Sequence, residues 1–129
     1  MPTSPYRTNI QVRFGDTDAL GHLNNASFAA YVEVARLDFL AALGKSVRSL
    51  ILANLCIDYR RQVGPDEAVH VETWVEKLGT ASMSLAHTVF ANGERAADVR
   101  SVVVHFDYAA NKSQPLTAEM RERLQPYVC

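Results

Sequence analysis

The sequence is poor in cysteine and in net charge, and each shortage excludes a class of protein. Its two cysteines, Cys56 and Cys129, lie far apart in 129 residues, which excludes a disulfide framework and a cysteine-rich zinc site. Cys56 lies among apolar residues and is predicted to be a small buried side chain. The formal net charge of −1 shows no basic excess, so we expect no nucleic-acid partner.

The sequence also lacks apolar stretches long enough for a membrane span or a secretion signal. The first nine residues are polar and include two prolines, which is not the pattern of a signal peptide. The longest apolar-rich segment, residues 26–43, is interrupted by Glu33, Arg36 and Asp38, and such charges argue against a membrane span. Glu33 and Arg36 are predicted to form a structural ion pair along one helix. We therefore predict a cytoplasmic protein with no membrane partner.

The length and composition predict one globular domain over residues 1–129. Hydrophobic residues make up 48% of the chain and charged residues 21%, which is ordinary for a folded domain. Intrinsic disorder requires low hydrophobicity and high net charge, and this sequence has neither. We found no repeat, low-complexity segment or interior linker that would indicate a domain boundary.

A helix is predicted over residues 25–43, with apolar residues around most of its circumference. Asn24 or Asn25 can cap its start, and Gly44 can end it. A surface helix normally has a polar half, whereas the apolar residues here spread widely. They are Phe28, Tyr31, Val32, Val34, Leu37, Phe39, Leu40 and Leu43. We therefore expect the rest of the chain to enclose this helix on most sides.

Alternation of apolar and polar residues predicts five strands that could enclose the helix. The first covers residues 7–14, with Ile10, Val12 and Phe14 on one buried face. Four more are predicted at 51–62, 67–78, 80–91 and 95–109, and Asn92-Gly93 is a tight-hairpin signal between the last two. A short helix follows, to about Leu124. An antiparallel sheet beside a long helix makes an α+β domain.

The densest group of reactive side chains is the loop from Asp16 to Asn25, between the first strand and the long helix. Asp16 and Asp18 are two residues apart, so they point the same way if extended geometry continues. The first N–H groups of the helix and its dipole favour negative charge. Acyl transfer needs a base or nucleophile and donors for the developing oxyanion. A carboxylate here and the N–H groups at Asn24 and Asn25 would supply both.

The same residue types have simpler uses, which composition alone favours. Asp, Asn, Thr and Gly form caps and Asx turns at many strand-to-helix turns. A calcium loop starting at Asp16 would need oxygen ligands at its fifth and twelfth positions, where Leu20 and Ser27 stand instead. Three histidines, His70, His87 and His105, lie in predicted strands and are interpreted as packing or surface residues. We expect no bound metal and no cofactor.

Residues 12–40, VRFGDTDALGHLNNASFAAYVEVARLDFL, resemble the 4-hydroxybenzoyl-CoA thioesterase family of hot-dog-fold proteins. The pattern joins Phe-x-Asp-Thr-Asp-x-x-Gly-His-x-Asn-Asn to Phe-x-x-Tyr-x-Glu-x-Ala-Arg, and the element order matches over the rest of the chain. The resemblance implies a hot-dog fold, in which a curved antiparallel sheet wraps a long helix. It also implies hydrolysis of an acyl-CoA substrate, a homo-oligomer (dimer or tetramer) with active sites between subunits, and no metal or redox cofactor.

The resemblance also implies roles for residues of the loop. Asp18 would be the catalytic carboxylate, and the backbone N–H of Asn25 would polarise the thioester carbonyl. Gly21 would permit the tight course of the loop, and His22 belongs to the motif without a defined role. Asp16 would stabilise the loop rather than react.

Substrate contacts are expected from the helix and from basic residues downstream. Asn24 is a candidate for contact with the substrate, and the aromatic residues Phe28, Tyr31 and Tyr59 could line the acyl pocket. The CoA phosphates could be bound by Arg60 and Arg61, and the sequence does not choose between these and Lys77, Arg95 and Arg100.

Two other functions compete with hydrolysis. A hot-dog enoyl-CoA hydratase would carry an Asp and a His five positions apart, whereas His22 lies six residues after Asp16 and four after Asp18. A non-catalytic acyl-CoA-binding module would be expected to lack the carboxylate or to carry a DNA-binding segment. The presence of Asp18 favours the thioesterase.

Overall fold

A long helix packs on an antiparallel sheet in the computed structural model, which describes residues 4–129. Strand β1 spans Tyr6–Ile10 and helix α1 spans Asn25–Ala42, with a 3-10 turn at Phe14–Asp16 between them. The later elements are β2 (Leu50–Tyr59), β3 (Val69–Leu78), β4 (Ser82–Ala91), β5 (Glu94–Asp107), β6 (Lys112–Ser113), α2 (Ala118–Leu124) and a 3-10 turn at Gln125–Tyr127. The predicted α+β class is confirmed.

The sheet places β2 and β1 at opposite edges. The strand order is β1-β3-β4-β5-β2, with antiparallel pairing throughout and β6 added to the end of β5. The hairpin between β4 and β5 turns at Asn92 and Gly93, both with positive φ (49° and 78°), as the tight-turn signal predicted. In the described part of the chain, β2 pairs with β5 alone, so its outer edge is open.

Two apolar clusters lie between α1 and the sheet, and a buried polar layer separates them. The first surrounds Phe28 and Val32 near the start of the helix, and the second surrounds Phe39 and Leu40 near its end. We call Thr73, His87 and Ser101 the buried polar layer; their exposed fractions are 0%, 1% and 0%. His87 Nδ1 lies 3.0 Å from Thr73 Oγ1, and His87 Nε2 lies 2.7 Å from Ser101 Oγ.

The layer holds a neutral histidine. Burial, and secondarily the charge of nearby Arg36, lower the pKa of His87 to about 3. Arg36 is itself buried, and its Nη1 has no hydrogen-bond partner among residues 4–129. The predicted salt bridge between Arg36 and Glu33 is wrong, because Arg36 turns toward the interior whereas Glu33 is exposed.

Three predictions of burial are wrong for reasons of local geometry. Phe14 is 98% exposed, because β1 ends at Ile10 and the chain turns before Phe14 can continue the inner face. Cys56 is exposed because its neighbours Leu55 and Ile57 face the core, which points Cys56 to the other side of β2. The helix is covered on one side only.

The open side of α1 carries Val34 and Leu37, which are 51% and 60% exposed. The sheet covers one face of the helix, so the enclosure expected from its wide apolar surface is incomplete in a single chain. No helix in residues 4–129 is both long and apolar enough to cross a membrane.

Candidate active site

Asp16 anchors the loop that leads into α1. Its Oδ2 accepts hydrogen bonds from the Tyr31 hydroxyl (2.7 Å) and from the Arg13 backbone N–H (2.9 Å). Its carbonyl oxygen accepts from the Asn24 N–H (2.8 Å) and the Ser27 hydroxyl (2.9 Å). These donors, led by Tyr31, lower the pKa of Asp16, so it stays ionised and holds the loop. The loop-stabilising role expected of Asp16 agrees with these contacts.

Asp18 is exposed and is oriented by the loop rather than by its own burial. Its Oδ1 accepts from the backbone N–H groups of Leu20 (2.9 Å) and His22 (3.2 Å). The loop closes because the Asp18 N–H donates to the His22 carbonyl (2.8 Å) and the Gly21 N–H donates to the Asp18 carbonyl (3.1 Å). Gly21 has φ +81°, a conformation that other residues rarely adopt. Within residues 4–129, the second carboxylate oxygen, Oδ2, accepts no hydrogen bond.

The first turn of α1 leaves one backbone donor unused. Asn24 is the N-cap, and its Oδ1 accepts from the Ala26 N–H (2.9 Å) while its carbonyl accepts from the Ser27 N–H (2.9 Å). The Asn25 N–H, between them, has no acceptor in the described part of the chain. An unpaired N–H at a helix start, aligned with the helix dipole, attracts negative charge.

Asp18 and Asn25 line the same cavity, with a volume of about 250 Å³. The lining residues are Asp18, His22, Leu23, Asn25, Phe28, Tyr59, Arg60, Arg61 and Gln62. Seven of them were singled out from the sequence, namely Asp18, His22, Asn25, Phe28, Tyr59, Arg60 and Arg61. The cavity therefore joins the helix start to the end of β2 at the open edge of the sheet.

Two residues predicted to contact substrate do not line this cavity. Tyr31 is 3% exposed and its hydroxyl is used by Asp16. Asn24 is exposed, but its side chain caps the helix. Both hold the loop and the helix start in place, and their contacts with substrate remain predictions.

The two arginines at the end of β2 differ in what their guanidinium groups contact. Arg61 pairs with Glu67 through two nitrogens (2.7 and 3.1 Å) and donates to the Ala91 carbonyl (2.7 Å). These contacts, with Glu67 first, raise the pKa of Arg61 and lower that of Glu67. These contacts hold Arg61 in place, and its contact with a CoA phosphate remains a prediction. Among residues 4–129, Arg60 is bound only through Nε, to Asp98 (2.8 Å).

Tyr59, one of the aromatic residues that the sequence suggested for the acyl pocket, lines the cavity. Its ring packs edge-on against Phe28, with centroids 5.2 Å apart, and its hydroxyl donates to the Asn25 carbonyl (3.2 Å). Tyr59 thus joins β2 to the first turn of α1. Its position at the end of a predicted strand was visible, but its hydrogen-bond partner lies 34 residues away, beyond the reach of any local pattern.

This arrangement suits acyl transfer. A carboxylate oxygen with no partner and a backbone donor with no acceptor face one cavity, as attack on a carbonyl requires. Residues 4–129 contain no group of three or more His, Cys, Asp or Glu side chains placed to hold a metal ion.

A sequence model of the thioesterase-like superfamily matches residues 12–124. This chain belongs to that superfamily. The match covers both the loop with Asp18 and the strands that complete the cavity. Because members of the superfamily hydrolyse thioesters, the protein is a thioesterase.

Solved structures and a named relative agree with this membership. A thioesterase from Thermus thermophilus, solved with coenzyme A and zinc, is 34% identical, with a TM-score of 0.86 over 92% of this chain and 90% of that one. A predicted thioesterase from Bacillus stearothermophilus is 26% identical, with a TM-score of 0.89 over 98% of both chains. The long-chain acyl-CoA thioesterase FadM of Escherichia coli is 27% identical over 95% of this chain and 98% of the relative. The fold is the hot-dog fold of these thioesterases.

Proposed function

We propose that this thioesterase hydrolyses acyl-CoA thioesters to a free acid and CoA, with Asp18 as the reacting carboxylate. The observation that carries the proposal is that Asp18 Oδ2 and the Asn25 N–H, both without partners among the described residues, line one cavity. The motif of residues 12–40 supports placement within the 4-hydroxybenzoyl-CoA thioesterase family.

The thioester carbonyl would lie between these two groups. Its oxygen would accept a hydrogen bond from the Asn25 N–H, which stabilises the charge that develops during attack. Two routes then lead to the products. Asp18 can attack the carbonyl carbon, expel the CoA thiolate and leave an anhydride that water opens, or it can take a proton from the water that attacks. In both routes the thiolate leaves with a proton and one water is consumed. In the covalent route, water that attacks the Asp18 carbonyl of the anhydride leaves its oxygen on Asp18 and an Asp18 oxygen on the acid, whereas attack on the acyl carbon gives the water oxygen to the acid.

The loop geometry explains why Asp18 and not Asp16 would react. The Asp16 carboxylate is buried and accepts three hydrogen bonds, whereas Asp18 is exposed and keeps one oxygen without a partner among residues 4–129. The amides that hold Asp18 Oδ1 also fix the direction in which Oδ2 points, which reduces the cost of positioning. His22 lines the cavity, and its Nδ1 has no partner within residues 4–129.

We propose further that two copies of the chain pair along β2 and that the cavity lies at their boundary. The ten-residue β2 has an open edge and ends at the cavity, in Tyr59. The loop of Asp18 also exposes Phe14 (98%) and Leu20 (82%). Open strand edges and exposed apolar side chains favour association. Replacement of the exposed Leu52 by Lys on this strand is expected to yield monomers in sedimentation velocity, with loss of activity.

The test of hydrolysis is thiol release from a panel of acyl-CoAs by wild type and Asp18→Asn. We expect Asp18→Asn to lower kcat at least about 100-fold, the size of a lost general base or nucleophile, with an unchanged unfolding midpoint. Asp16→Asn is the matched control, because it removes the same charge two residues away and should cost stability more than turnover. An Asp18→Asn enzyme with wild-type kcat would remove Asp18 from the mechanism.

A single-turnover reaction in H₂¹⁸O separates the two routes. If Asp18 attacks and water opens the anhydride at the Asp18 carbonyl, ¹⁸O enters the Asp18 carboxyl, which mass spectrometry of the peptide detects. General-base attack by water places ¹⁸O in the product acid alone, so label on the Asp18 peptide establishes the covalent route. The predicted cytoplasmic location is consistent with acyl-CoA as substrate and stays a prediction, as does the expectation that no cofactor is needed.

A further inference from the structure

Asp18 and His22 lie opposite each other across the narrow loop that precedes α1. Thr17 and Leu23 form an antiparallel bridge, and the next pair inward is Asp18 with His22, whose backbones are joined at 2.8 Å. Residues directly opposite each other in an antiparallel pair are close neighbours on one face. Both side chains line the cavity of about 250 Å³. The His22 ring is therefore a neighbour of the Asp18 carboxylate.

The two ring nitrogens of His22 have different surroundings. Nδ1 is buried and has no hydrogen-bond partner among residues 4–129. Nε2 has no partner in this part of the chain either, but it is not a buried atom, so a ligand in the cavity can reach it. Buried N–H groups without an acceptor are rarer than buried acceptors without a donor. The geometry therefore favours the neutral ring with its proton on Nε2, where the N–H is accessible from the cavity.

Thioester cleavage puts negative charge on two atoms in turn. The carbonyl oxygen gains charge during attack, and the Asn25 N–H is its donor in the proposed function. The sulfur gains charge when the C–S bond breaks, and a donor aimed at it would lower that barrier. The Tyr59 hydroxyl, which also lines the cavity, is already used by the Asn25 carbonyl. The His22 Nε2–H is accessible and beside Asp18, so it suits the sulfur.

We propose that the His22 Nε2–H donates a hydrogen bond to the thioester sulfur and stabilises the departing thiolate. As the carbonyl re-forms, the C–S bond breaks and its electron pair goes to sulfur. His22 keeps its proton throughout. The proton that neutralises the thiolate comes from the Asp18 carboxyl, which took it from water, or from solvent in the covalent route. The inference rests on the proposed function and assigns a second step of the same reaction.

Two thioesters of the same acid test the contact with sulfur. An acyl-CoA releases an alkyl thiolate, whose charge stays on sulfur, whereas the 4-nitrothiophenyl ester releases a thiolate whose charge spreads into the aromatic ring. A hydrogen bond to sulfur therefore assists the acyl-CoA more than the aryl ester. Thiol release gives kcat and KM for both substrates with wild type, His22→Asn and His22→Gln.

We expect His22→Asn to lower kcat for the acyl-CoA about 30-fold, the size of one lost hydrogen bond to a charged group. KM should stay near the wild-type value, because the charge on sulfur develops only in the transition state. For the aryl ester, kcat should fall no more than about threefold. The longer side chain of His22→Gln can place an amide N–H near the position of Nε2 and should recover most of the lost rate.

His70→Asn is the matched control, because it is the same substitution on β3, outside the lining of the cavity. It should match wild type with both substrates. Asp18→Asn should slow both thioesters, since attack on the carbonyl precedes departure of either thiol. Equal slowing of both substrates by His22→Asn would overturn the inference and leave the role of Asp18 in place. A wild-type protein that cleaves no acyl-CoA would contradict the proposed function and the inference together.

Nitrogen-15 NMR of the histidine rings gives a readout that does not depend on turnover. It is recorded on the wild-type protein at about pH 8, where an ordinary histidine is neutral. The His22 signals are assigned by their loss in His22→Gln. We expect them to show a protonated Nε2 and an unprotonated Nδ1. A proton on Nδ1 instead would overturn the inference, because the nitrogen facing the cavity would then have no hydrogen to donate.

Discussion

Two polar groups lie along α1, one at its start and one beneath its middle, and they differ in how many of their hydrogen bonds are filled. The loop of residues 16–25 leaves Asp18 Oδ2 and the Asn25 N–H without partners in the described chain. In the buried polar layer, both ring nitrogens of His87 are used, by Thr73 and Ser101. Both groups contain histidine and carboxylate or hydroxyl side chains of the kinds that enzymes use.

This difference shows that hydrogen-bond donors and acceptors without partners beside a cavity identify the candidate site better than residue type does. His87 has the strongly lowered pKa often associated with function, yet its cause is burial inside a satisfied network. Asp18 is exposed, and what distinguishes it is that two backbone N–H groups orient its carboxylate. We therefore expect changes in the layer to alter stability and changes at Asp18 to alter rate.

The largest effect on stability should follow from removing the His87 side chain from the buried polar layer. His87→Ala leaves two buried hydroxyls without partners and a cavity between them, so we expect the free energy of unfolding to fall by about 3 kcal/mol. Urea unfolding followed by circular dichroism measures this change. His70→Ala is the control, because His70 is partly exposed, and it should cost about 0.5 kcal/mol. Equal losses in the two variants would contradict the contrast.

The buried polar layer should also make the free energy of unfolding depend on pH. The pKa of His87 is about 3 in the folded chain and about 6.5 when unfolded, so the unfolded chain binds more protons between these values. Stability is complete above pH 6.5 and is lost as the pH falls toward 3. We expect His87 to account for about 2 kcal/mol of loss between about pH 7 and about pH 5. His87→Gln should remove this part of the slope, and parallel curves for the two proteins would refute it.

Tyr31→Phe should sharpen the distinction within the loop. It removes the hydroxyl that donates to the Asp16 carboxylate at 2.7 Å. The loss of one hydrogen bond to a charged group is expected to lower the free energy of unfolding by about 1.5 kcal/mol. Because Tyr31 does not line the cavity, KM for an acyl-CoA should stay close to wild type well below the unfolding temperature. A large rise in KM without loss of stability would return Tyr31 to the substrate site.

The smallest effect is expected at the N-cap. Asn24→Ala removes the acceptor of the Ala26 N–H and should cost about 1 kcal/mol, whereas Asn24→Ser keeps a capping oxygen and should cost a few tenths. Thermal unfolding distinguishes the two. If both variants lost activity equally at full stability, Asn24 would contact substrate rather than cap the helix.

Local patterns were sufficient for most elements and for the loop. The capping residues Asn24 or Asn25 and Gly44, with the apolar segment between them, predicted α1 within one residue of its observed end at Ala42, and Asn92-Gly93 predicted the hairpin. These features depend on neighbours within a few positions, so the sequence contains the information directly. The predicted burial of Phe14 and Cys56 is wrong because the exposure of each depends on an exact residue position. For Phe14 this is the residue at which β1 ends, and for Cys56 it is which residues of β2 face the core. A shift of one or two residues in either position reverses the prediction.

The sequence by itself determined the α+β elements, the tight loop around Gly21 and the placement of Asp18 beside a helix start. Only the tertiary structure decided which polar groups of the candidate site remain without partners in the described chain. Tyr31 is hydrogen-bonded to Asp16, Arg61 to Glu67, and the Asn24 side chain to the helix that it caps. It also brought Tyr59 of β2 against Phe28 of α1 to close the cavity. The physical reason is that filling a hydrogen bond or lining a cavity depends on strand order and register, which join residues distant in the chain.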